Sequence, residues 1–393
     1  MLELNNLSGF GGVGATGATP SATGMFVWGD NSSGQAGGGG STADPVQVPT
    51  ETDTTDDIVI NSKSFSMASH AGFIIGNQLY TAGLNTYGQL AQGDLNNLNA
   101  FTSVSTNGAA SDFALGQRHT LTVRDGEVNG CGSNNHNQLV AGTGSPTTLS
   151  VIVQAAAMGD ADAIKVYASR YSSAVLTSKN EVYVWGQSVV TSGSSNIDDP
   201  LNMLSRFPDD FAGSDKSQEP EYIDVGLGDT HIILLTDEGS VFTQSNSNPY
   251  GQQGNGTTSR SSEVLDQFNQ GATKVAAGRY TSYVIAGGIL YAAGRGDSGE
   301  MGAATSAQIN STFIDIGGGI TDWVDVQAGS AYVIAQRQDG TLYHSGSNIY
   351  YQQGNNAAGS DQFGFVQIIG TTTAKVYGAY VAARRTIYGL VLD

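Results

Sequence analysis

The sequence predicts an all-β chain, folded as a seven-bladed β-propeller whose N- and C-terminal strands close one shared blade. Three observations predict this fold: a strand-and-turn motif that occurs seven times, a β-rich run ahead of most copies, and chain ends that complement each other. A roughly constant period is typical of repeat folds in which each unit is one supersecondary element.

The strand-and-turn motif is clearest in the stretch LYTAGLNTYGQLAQG, residues 79–93. A short β pattern ends at a glycine, a polar segment follows, and a second glycine precedes Gln89 and Leu90. Glycine suits both turns because a residue without Cβ enters positive φ at little cost. The motif returns at spacings of 49 to 59 residues, with its anchor at Gly29, Gly83, Gly132, Gly186, Ser245, Gly294 and Gly346.

The second repeated run precedes the anchor strand, as in FALGQRHTLTV at residues 113–123. It is rich in β-forming residues and follows a small residue. The anchor strand at residues 25–29 has no such run before it, and the last run, at 380–390, has no anchor strand after it. The two ends therefore complement each other, and a ring closed by pairing them leaves few exposed sheet edges.

Two segments, WGDNSSGQ at residues 28–35 and GLNTYGQL at 83–90, with GQRHT upstream at 116–120, resemble the regulator-of-chromosome-condensation (RCC-type) repeat. The resemblance covers residues 25–393 and implies a seven-bladed propeller of four-stranded blades. The fourth unit departs from the pattern by losing the Gly-Gln turn, and the fifth has Ser245 in place of the anchor glycine. These departures concern local blade geometry.

Composition and charge exclude several classes of partner. The net charge is −19, with only 16 lysines and arginines, so nucleic acid, which is bound chiefly through basic contacts to phosphate, is not expected as a partner. No apolar run approaches the roughly twenty residues of a membrane span, so we expect no membrane insertion. No lysine or arginine precedes Lys63, and we therefore expect no signal peptide.

Residues 1–24 are predicted to form a separate glycine-rich arm ahead of the propeller at 25–393. Six of these residues are glycine and one is charged, a composition that is flexible in isolation. We expect the arm to dock on a neighbouring subunit through its apolar side chains, Leu2, Leu4, Leu7 and Phe10.

The sequence offers no catalytic, cofactor-binding or metal-ligating constellation, and it predicts a non-enzymatic protein without cofactors. The segment GDSG at 296–299 falls on the repeat turn and lacks the protease context. A histidine recurs near the start of the upstream run, where other units carry tyrosine, and this alternation favours a structural role over a metal site. The residues concerned are His70, His119 and His231, and Tyr171, Tyr280 and Tyr332.

A ring-bearing residue lies just before several Gly-Gln turns, and these residues are the candidate protein contacts: Tyr87, His136, Tyr250, Tyr350 and Tyr351. Tyrosine is favoured at interfaces because it gives a large contact area with little loss of entropy. The alternative is that these rings pack the turn of one blade against the next blade. The longest insertion, residues 187–222, is a further candidate contact, with a decorative loop as its alternative.

Three functions follow as hypotheses. The first is a structural or interaction protein of a large assembly, specifically a phage virion component such as a head decoration or tail-associated adhesion protein. It would be made in the host cytoplasm, reside in the virion, and bind coat or tail proteins and a host surface receptor. The second is a soluble propeller that inhibits one protein target, similar to the β-lactamase-inhibitor propellers. The third is a guanine-nucleotide exchange factor like the founding RCC-type protein, although the basic tail of that protein is missing.

Overall fold

The chain folds into seven four-stranded antiparallel sheets, the blades of a propeller. The computed structural model describes residues 22–37, 46–53, 58–59, 69–75, 77–105, 108–139, 150–151, 161–186, 205–207, 221–260, 265–268, 271–302, 309–354, 359–368, 376–382 and 386–392. These ranges contain no helix with the length and apolarity that crossing a membrane requires. The docking-arm residues Leu2, Leu4, Leu7 and Phe10, and most of the 187–222 insertion, lie outside them.

The first half of the chain forms two strands of the closing blade and then blades 1 to 3. The two early strands are β1 (Ala22–Gly29) and β2 (Val46–Asp53). Blade 1 contains β3 (Ile58–Val59), β4 (His70–Ile75), β5 (Gln78–Gly83) and β6 (Leu98–Ser103). Blade 2 contains β7 (Ala110–Leu115), β8 (His119–Arg124), β9 (Glu127–Gly132) and β10 (Ser150–Val151). Blade 3 contains β11 (Ala163–Ala168), β12 (Ser172–Thr177), β13 (Val182–Gly186) and β14 (Ser205–Phe207).

The second half forms blades 4 to 6 and returns to the closing blade. Blade 4 contains β15 (Tyr222–Leu227), β16 (His231–Thr236), β17 (Val241–Ser245) and β18 (Leu265–Phe268). Blade 5 contains β19 (Ala272–Ala277), β20 (Thr281–Ala286), β21 (Ile289–Arg295) and β22 (Ile309–Asp315). Blade 6 contains β23 (Trp323–Ala328), β24 (Tyr332–Arg337), β25 (Leu342–Gly346) and β26 (Gln362–Gln367). The last strands are β27 (Val376–Ala382) and β28 (Thr386–Leu392).

The closing blade, blade 7, has the strand order β2-β1-β28-β27. The N-terminal β1 pairs antiparallel with the C-terminal β28, with Phe26 opposite Gly389 and Val27 opposite Tyr388. The predicted seven-bladed ring with a shared closing blade is therefore confirmed. The indole Nε1 of Trp28 in β1 donates to the backbone carbonyl of Gln352 in blade 6, 2.8 Å away, and ties this blade to its neighbour.

The core lies between adjacent blades rather than inside any one of them. The first strand of a blade contacts the first strand of the next, as β7 does with β11 and β11 with β15, so these strands line the axis of the ring. The second strands β8, β12 and β16 are buried along their whole length, because both of their faces meet a neighbouring blade. One cluster joins Leu121 and Val123 of blade 2 to Val166 and Trp185 of blade 3.

The anchor glycine at the end of the third strand is required by close approach of the backbone. Gly132 has a φ of 100°, and a Cβ there would lie 2.3 Å from the carbonyl oxygen of Arg118. In blade 4 this position is occupied by Ser245, whose side chain forms a hydrogen bond there. Its hydroxyl donates to the carbonyl oxygen of Thr230 at 2.9 Å, the equivalent acceptor, so the departure at this unit is accommodated by a hydrogen bond.

One register position of the first strand carries charges of alternating sign around the ring. Each of these residues lies opposite the next-to-last residue of the second strand, as in the pairs Asp112–Val123 and Lys165–Leu176. In chain order the described residues at this position are Asp112, Lys165, Asp224, Lys274 and Asp325.

Candidate functional site

One face of the ring is built from two kinds of turn. Strands 1 and 3 of each blade run in the same direction, so the turn after strand 1 and the turn after strand 3 lie at the same end of the blade. Backbone hydrogen bonds join them: Ser133 N donates to Arg118 O at 2.8 Å, and Arg295 N donates to Tyr280 O at 3.0 Å. We call this end of the propeller the turn face.

The turn after strand 3 is held by two side chains, an asparagine and a glutamine. In blade 1, Asn85 Oδ1 accepts from Leu90 N at 2.9 Å, and Gln89 Oε1 accepts from Tyr87 N at 2.8 Å. Both side chains are fully buried, and the bond from Leu90 N satisfies a backbone group that is itself buried. The same glutamine bond recurs at Gln35, Gln138, Gln252 and Gln352, and Glu300 replaces it in blade 5.

The backbone carbonyl of this glutamine accepts hydrogen bonds from the next blade. Gln89 O accepts from Thr120 Oγ1 at 2.7 Å, and Gln138 O accepts from Ser173 Oγ at 2.8 Å. Trp185 Nε1 also donates to Gln138 O at 2.8 Å. The turn is therefore part of the joint between blades.

The ring-bearing residues predicted as protein contacts lie on the turn face at blade boundaries. Tyr87 lies beneath the guanidinium of Arg118, 4.6 Å from Cζ to the ring centroid. The rings of His136 and Tyr171 are 4.0 Å apart. Tyr250 contacts Tyr280 with centroids 4.9 Å apart.

Tyr87, His136 and Tyr250 each contact the first turn of the following blade. Tyr87, His136 and Tyr250 are all partly exposed, as are Tyr350 and Tyr351 in blade 6. In the part of the chain that the structure describes, ring contacts join Tyr87, His136 and Tyr250 to the next blade rather than to one another. These side chains both pack between blades and remain partly exposed, so the geometry fits either alternative. Their role as protein contacts stays a prediction.

Sequence reasoning missed the arginines of the turn after strand 1. Arg170 lies over the ring of Tyr171 at 4.7 Å, and Arg279 lies over Tyr280 at 4.8 Å. The signal that could have found them is their fixed place, two residues before the start of the repeated second strand. Such stacking on aromatic faces is favourable and holds the guanidinium in one orientation.

Asp229, from the same turn of blade 4, lies between these two arginines. Its Oδ2 accepts from Arg279 Nε at 3.1 Å and is 3.8 Å from Arg170 Nη1. The carboxylate side chain is only 4% exposed. Burial raises the pKa of Asp229, and the two arginines oppose that rise.

The recurring histidines are structural. His70 Nε2 lies 2.9 Å from Thr120 Oγ1, and His119 Nε2 lies 3.1 Å from Ser173 Oγ, so their partners are hydroxyl groups of the next blade. Burial lowers the pKa of both imidazoles to about 3, which keeps them neutral. The residue that replaces them in blade 3 is Ser172, because Tyr171 lies one position earlier, on the turn itself.

In the segment 295–300 of blade 5, the charged side chains interact with one another. Arg295 Nε donates to Asp297 Oδ1, and its guanidinium lies 5.8 Å from the ring centroid of Tyr250. Glu300 is buried and accepts from Ser298 N at 2.8 Å, and desolvation raises its pKa to about 7. The residues that looked like a protease motif are thus this blade's version of the repeat turn.

Among the described residues, no group of three or more His, Cys, Asp or Glu is arranged to hold a metal ion.

Comparisons with known proteins support the resemblance to RCC-type repeats. The chain is 25% identical over 332 residues to an X-linked retinitis pigmentosa GTPase regulator homolog of Caenorhabditis elegans, covering 74% of this chain and 23% of that protein. It is 28% identical over 241 residues to a secretion-regulating guanine nucleotide exchange factor of Bos taurus, covering 60% and 50%. The chain thus spans at most about half the length of these relatives. No protein-family model matches it.

Solved structures show the same fold. Yeast RCC1 (Prp20), in its complex with Kap60, has a TM-score of 0.78 at 16% identity, covering 95% of this chain and 89% of that one. Human WBSCR16 has a TM-score of 0.74 at 18% identity, covering 95% and 99%.

The prediction of a virion location is wrong. The relatives are proteins of nematode and mammalian cells, and none of them is a coat or tail protein. The repeat itself accounts for much of the glycine- and amide-rich composition. Most blades carry an anchor glycine at positive φ and a buried Asn and Gln in the turn after strand 3.

Proposed function

We propose that this RCC-type repeat propeller is a non-enzymatic protein-interaction module that binds a partner protein with its turn face. Propellers carry function on the loops and turns at the ends of their blades, because these segments are exposed while the rigid sheets hold them in place.

The observation that carries the proposal is the set of partly exposed rings and guanidinium groups at the boundaries between blades 1 and 2, 2 and 3, and 4 and 5. They form three arginine–tyrosine pairs, Arg118 with Tyr87, Arg170 with Tyr171 and Arg279 with Tyr280. Tyrosine and arginine dominate the binding energy of protein interfaces, since they bury much area from a preorganised position. The relatives support protein partners as well: Prp20p, which shares the fold, binds Gsp1p and histones.

The test is affinity capture with matched variants. The turn-face variant carries Tyr87→Ala, Tyr250→Ala and Tyr350→Ala, and the control carries Lys179→Ala, Asp237→Ala and Glu238→Ala in exposed turns between strands 2 and 3, at the opposite end of the blades. We expect the parent and the control to capture the same proteins, and the turn-face variant to lose them at unchanged far-UV circular dichroism. Equal capture by all three proteins would contradict the proposal.

A second candidate is regulation of a small GTPase. It is favoured by two relatives that are named as a GTPase regulator and a guanine nucleotide exchange factor. The measurement is release of fluorescent GDP from a panel of small GTPases with and without the propeller. Accelerated release that the turn-face variant lacks would support this candidate, and release at the intrinsic rate across the panel would exclude exchange activity on those GTPases.

A further inference from the structure

The turn face carries positive charge that the composition of the chain does not suggest. The whole chain has 35 acidic and 16 basic residues. Yet Arg118, Arg170 and Arg279 stand on the corresponding turns of blades 2, 3 and 5, and Asp229 lies between Arg170 and Arg279. These three guanidinium groups and one carboxylate have a positive sum of charge. We call it the arginine–aromatic arc, made of Arg118, Arg170 and Arg279 with the rings of Tyr87, Tyr171 and Tyr280.

The guanidinium groups of the arc are fixed before any partner arrives. Gln117 Oε1 accepts from Arg170 Nε at 3.3 Å, and Asp229 links Arg170 to Arg279, so one polar chain crosses blades 2 to 5. The guanidinium carbon of each arginine also lies 4.6 to 4.8 Å from the centroid of a tyrosine ring. Side chains held in this way lose little conformational entropy when they bind.

The same arginines remain accessible. The side chains of Arg170 and Arg279 are 32% and 29% exposed, whereas the Asp229 side chain that holds them is 4% exposed. Arg118 stacks on Tyr87, and within the described ranges no carboxylate forms an ion pair with it. A guanidinium has five N–H donors in a planar fork that matches a carboxylate, so each arginine retains donors for a partner.

We propose that the arginine–aromatic arc binds an extended acidic segment of a partner protein. The aspartate or glutamate carboxylates of that segment accept from the three guanidinium groups, as Asp229 already does from within. The methylene and backbone atoms of the segment lie over the exposed edges of the tyrosine rings. This inference rests on the proposed function and adds the chemical class of the partner.

The overall charge favours a short acidic protein segment over a nucleic acid. A long polyanion extends beyond the arc and meets the field of a chain with a charge of −19, and strong binding to phosphates needs many basic contacts. A segment with two or three carboxylates interacts mainly with the charges of the arc, because charges more than ~8 Å away are screened at physiological ionic strength.

The experiment measures binding of a fluorescein-labelled twenty-residue poly-L-glutamate to the full chain by fluorescence anisotropy, at low and at physiological salt. Poly-L-glutamine and oligothymidylate of the same length serve as comparison probes. The variants are Arg118→Gln, whose partner is an aromatic ring, and Arg279→Lys, which keeps the charge beside Asp229 but loses the planar fork. The matched controls are Lys179→Gln and Arg337→Gln, at the ends of the blades away from the turn face.

We expect each arc variant to weaken poly-L-glutamate binding at least fivefold and each control to change it less than twofold. Equal affinity in arc variants and controls would overturn the proposal, and so would tighter binding of oligothymidylate. Sedimentation velocity tests whether the parent chain forms a dimer that Arg118→Gln abolishes. Such a dimer would overturn the proposal, because a second copy of the chain would then occupy the arc. If partner capture by the turn face persists while poly-L-glutamate fails to bind, the acidic class is wrong and the proposed function stands.

Discussion

At the residue scale, the turn after strand 3 depends on buried amides. Asn85 accepts from Leu90 N, donates from Nδ2 to the backbone carbonyl of Asp94 at 3.0 Å, and is fully buried. Its side chain therefore replaces water for groups at both ends of the loop. The repeat conserves this arrangement internally at Asn31, Asn134, Asn248 and Asn348.

Asn85→Ala should lower the free energy of unfolding by ~1–3 kcal/mol, because it leaves the Leu90 amide without its buried acceptor. The measurement is urea unfolding followed by tryptophan fluorescence. Asn96→Ala is the matched control, since that amide is exposed and bonds Asp94 from the solvent side. A loss no larger than that of the control would show that the turn is held by other contacts.

Buried histidines make stability depend on pH. Burial lowers the pKa of His70, His119 and His344 to about 3 and that of His231 to about 4, against 6.5 for an exposed imidazole. The unfolded chain therefore binds more protons below pH 6.5. The contribution of these histidines to the free energy of unfolding is therefore complete above pH 6.5 and is lost as the pH falls toward 3.

Two buried carboxyl groups act in the opposite sense. Burial raises the pKa of Asp112 and Glu300 to about 7. Their contribution to the free energy of unfolding is therefore complete below pH 4 and is lost as the pH rises through 7. Four histidines outweigh two carboxyl groups, and we expect stability to fall between pH 6.5 and 4.5 by up to ~3 kcal/mol per unit. Urea midpoints across this range test it, and His119→Gln should flatten the slope by about one proton. A constant midpoint down to pH 4.5 would contradict this account.

At the element scale, the first strands carry a charge pattern that distinguishes one blade from the next. Lys165 stands between Asp112 and Asp224 in the sequence of blades, and its charge favours the ionised form of Asp112. Asp112 also reaches into blade 3, where its Oδ2 accepts from Val166 N at 2.8 Å. Opposite charges on neighbouring strands stabilise the observed order of blades and disfavour other pairings.

Lys165→Asp should destabilise the fold by at least ~1 kcal/mol, because it places three carboxylates in a row on adjacent first strands. Lys165→Met, which removes the charge and keeps the length, should cost less. Both values come from urea unfolding at pH 7.5, above the raised pKa of Asp112. Equal costs for the two variants would show that length, and not charge, matters at this position.

At the scale of the whole molecule, ring closure depends on pairing of β1 with β28 and on the Trp28 indole. Trp28 is fully buried and donates to Gln352 O across the boundary between blades 6 and 7. Trp185 makes the same bond to Gln138 O between blades 2 and 3, inside a continuous stretch of chain. The two tryptophans are therefore chemically alike but topologically different.

Trp28→Phe should lower stability by ~2–4 kcal/mol through the cavity and the lost hydrogen bond, and Trp185→Phe should do the same. Only Trp28→Phe should accelerate amide hydrogen exchange in β28, because that strand is held to the N-terminus by no covalent connection. Mass-resolved hydrogen exchange of a peptide covering residues 386–392 measures this. Faster exchange in both variants would show that the boundaries respond as one unit.

The blade number, the shared closing blade and the turn positions can all be predicted from the amino-acid sequence. These features follow from local requirements, such as a glycine at positive φ or an asparagine that caps its own loop, and they repeat along the chain. The side-chain contacts across each blade boundary depend instead on how the blades pack in three dimensions. Arg118 over Tyr87, and Asp229 between Arg170 and Arg279, join residues from different blades, and no local pattern specifies such contacts. The arc exists because the packing of blades around one axis brings their turns together on one face.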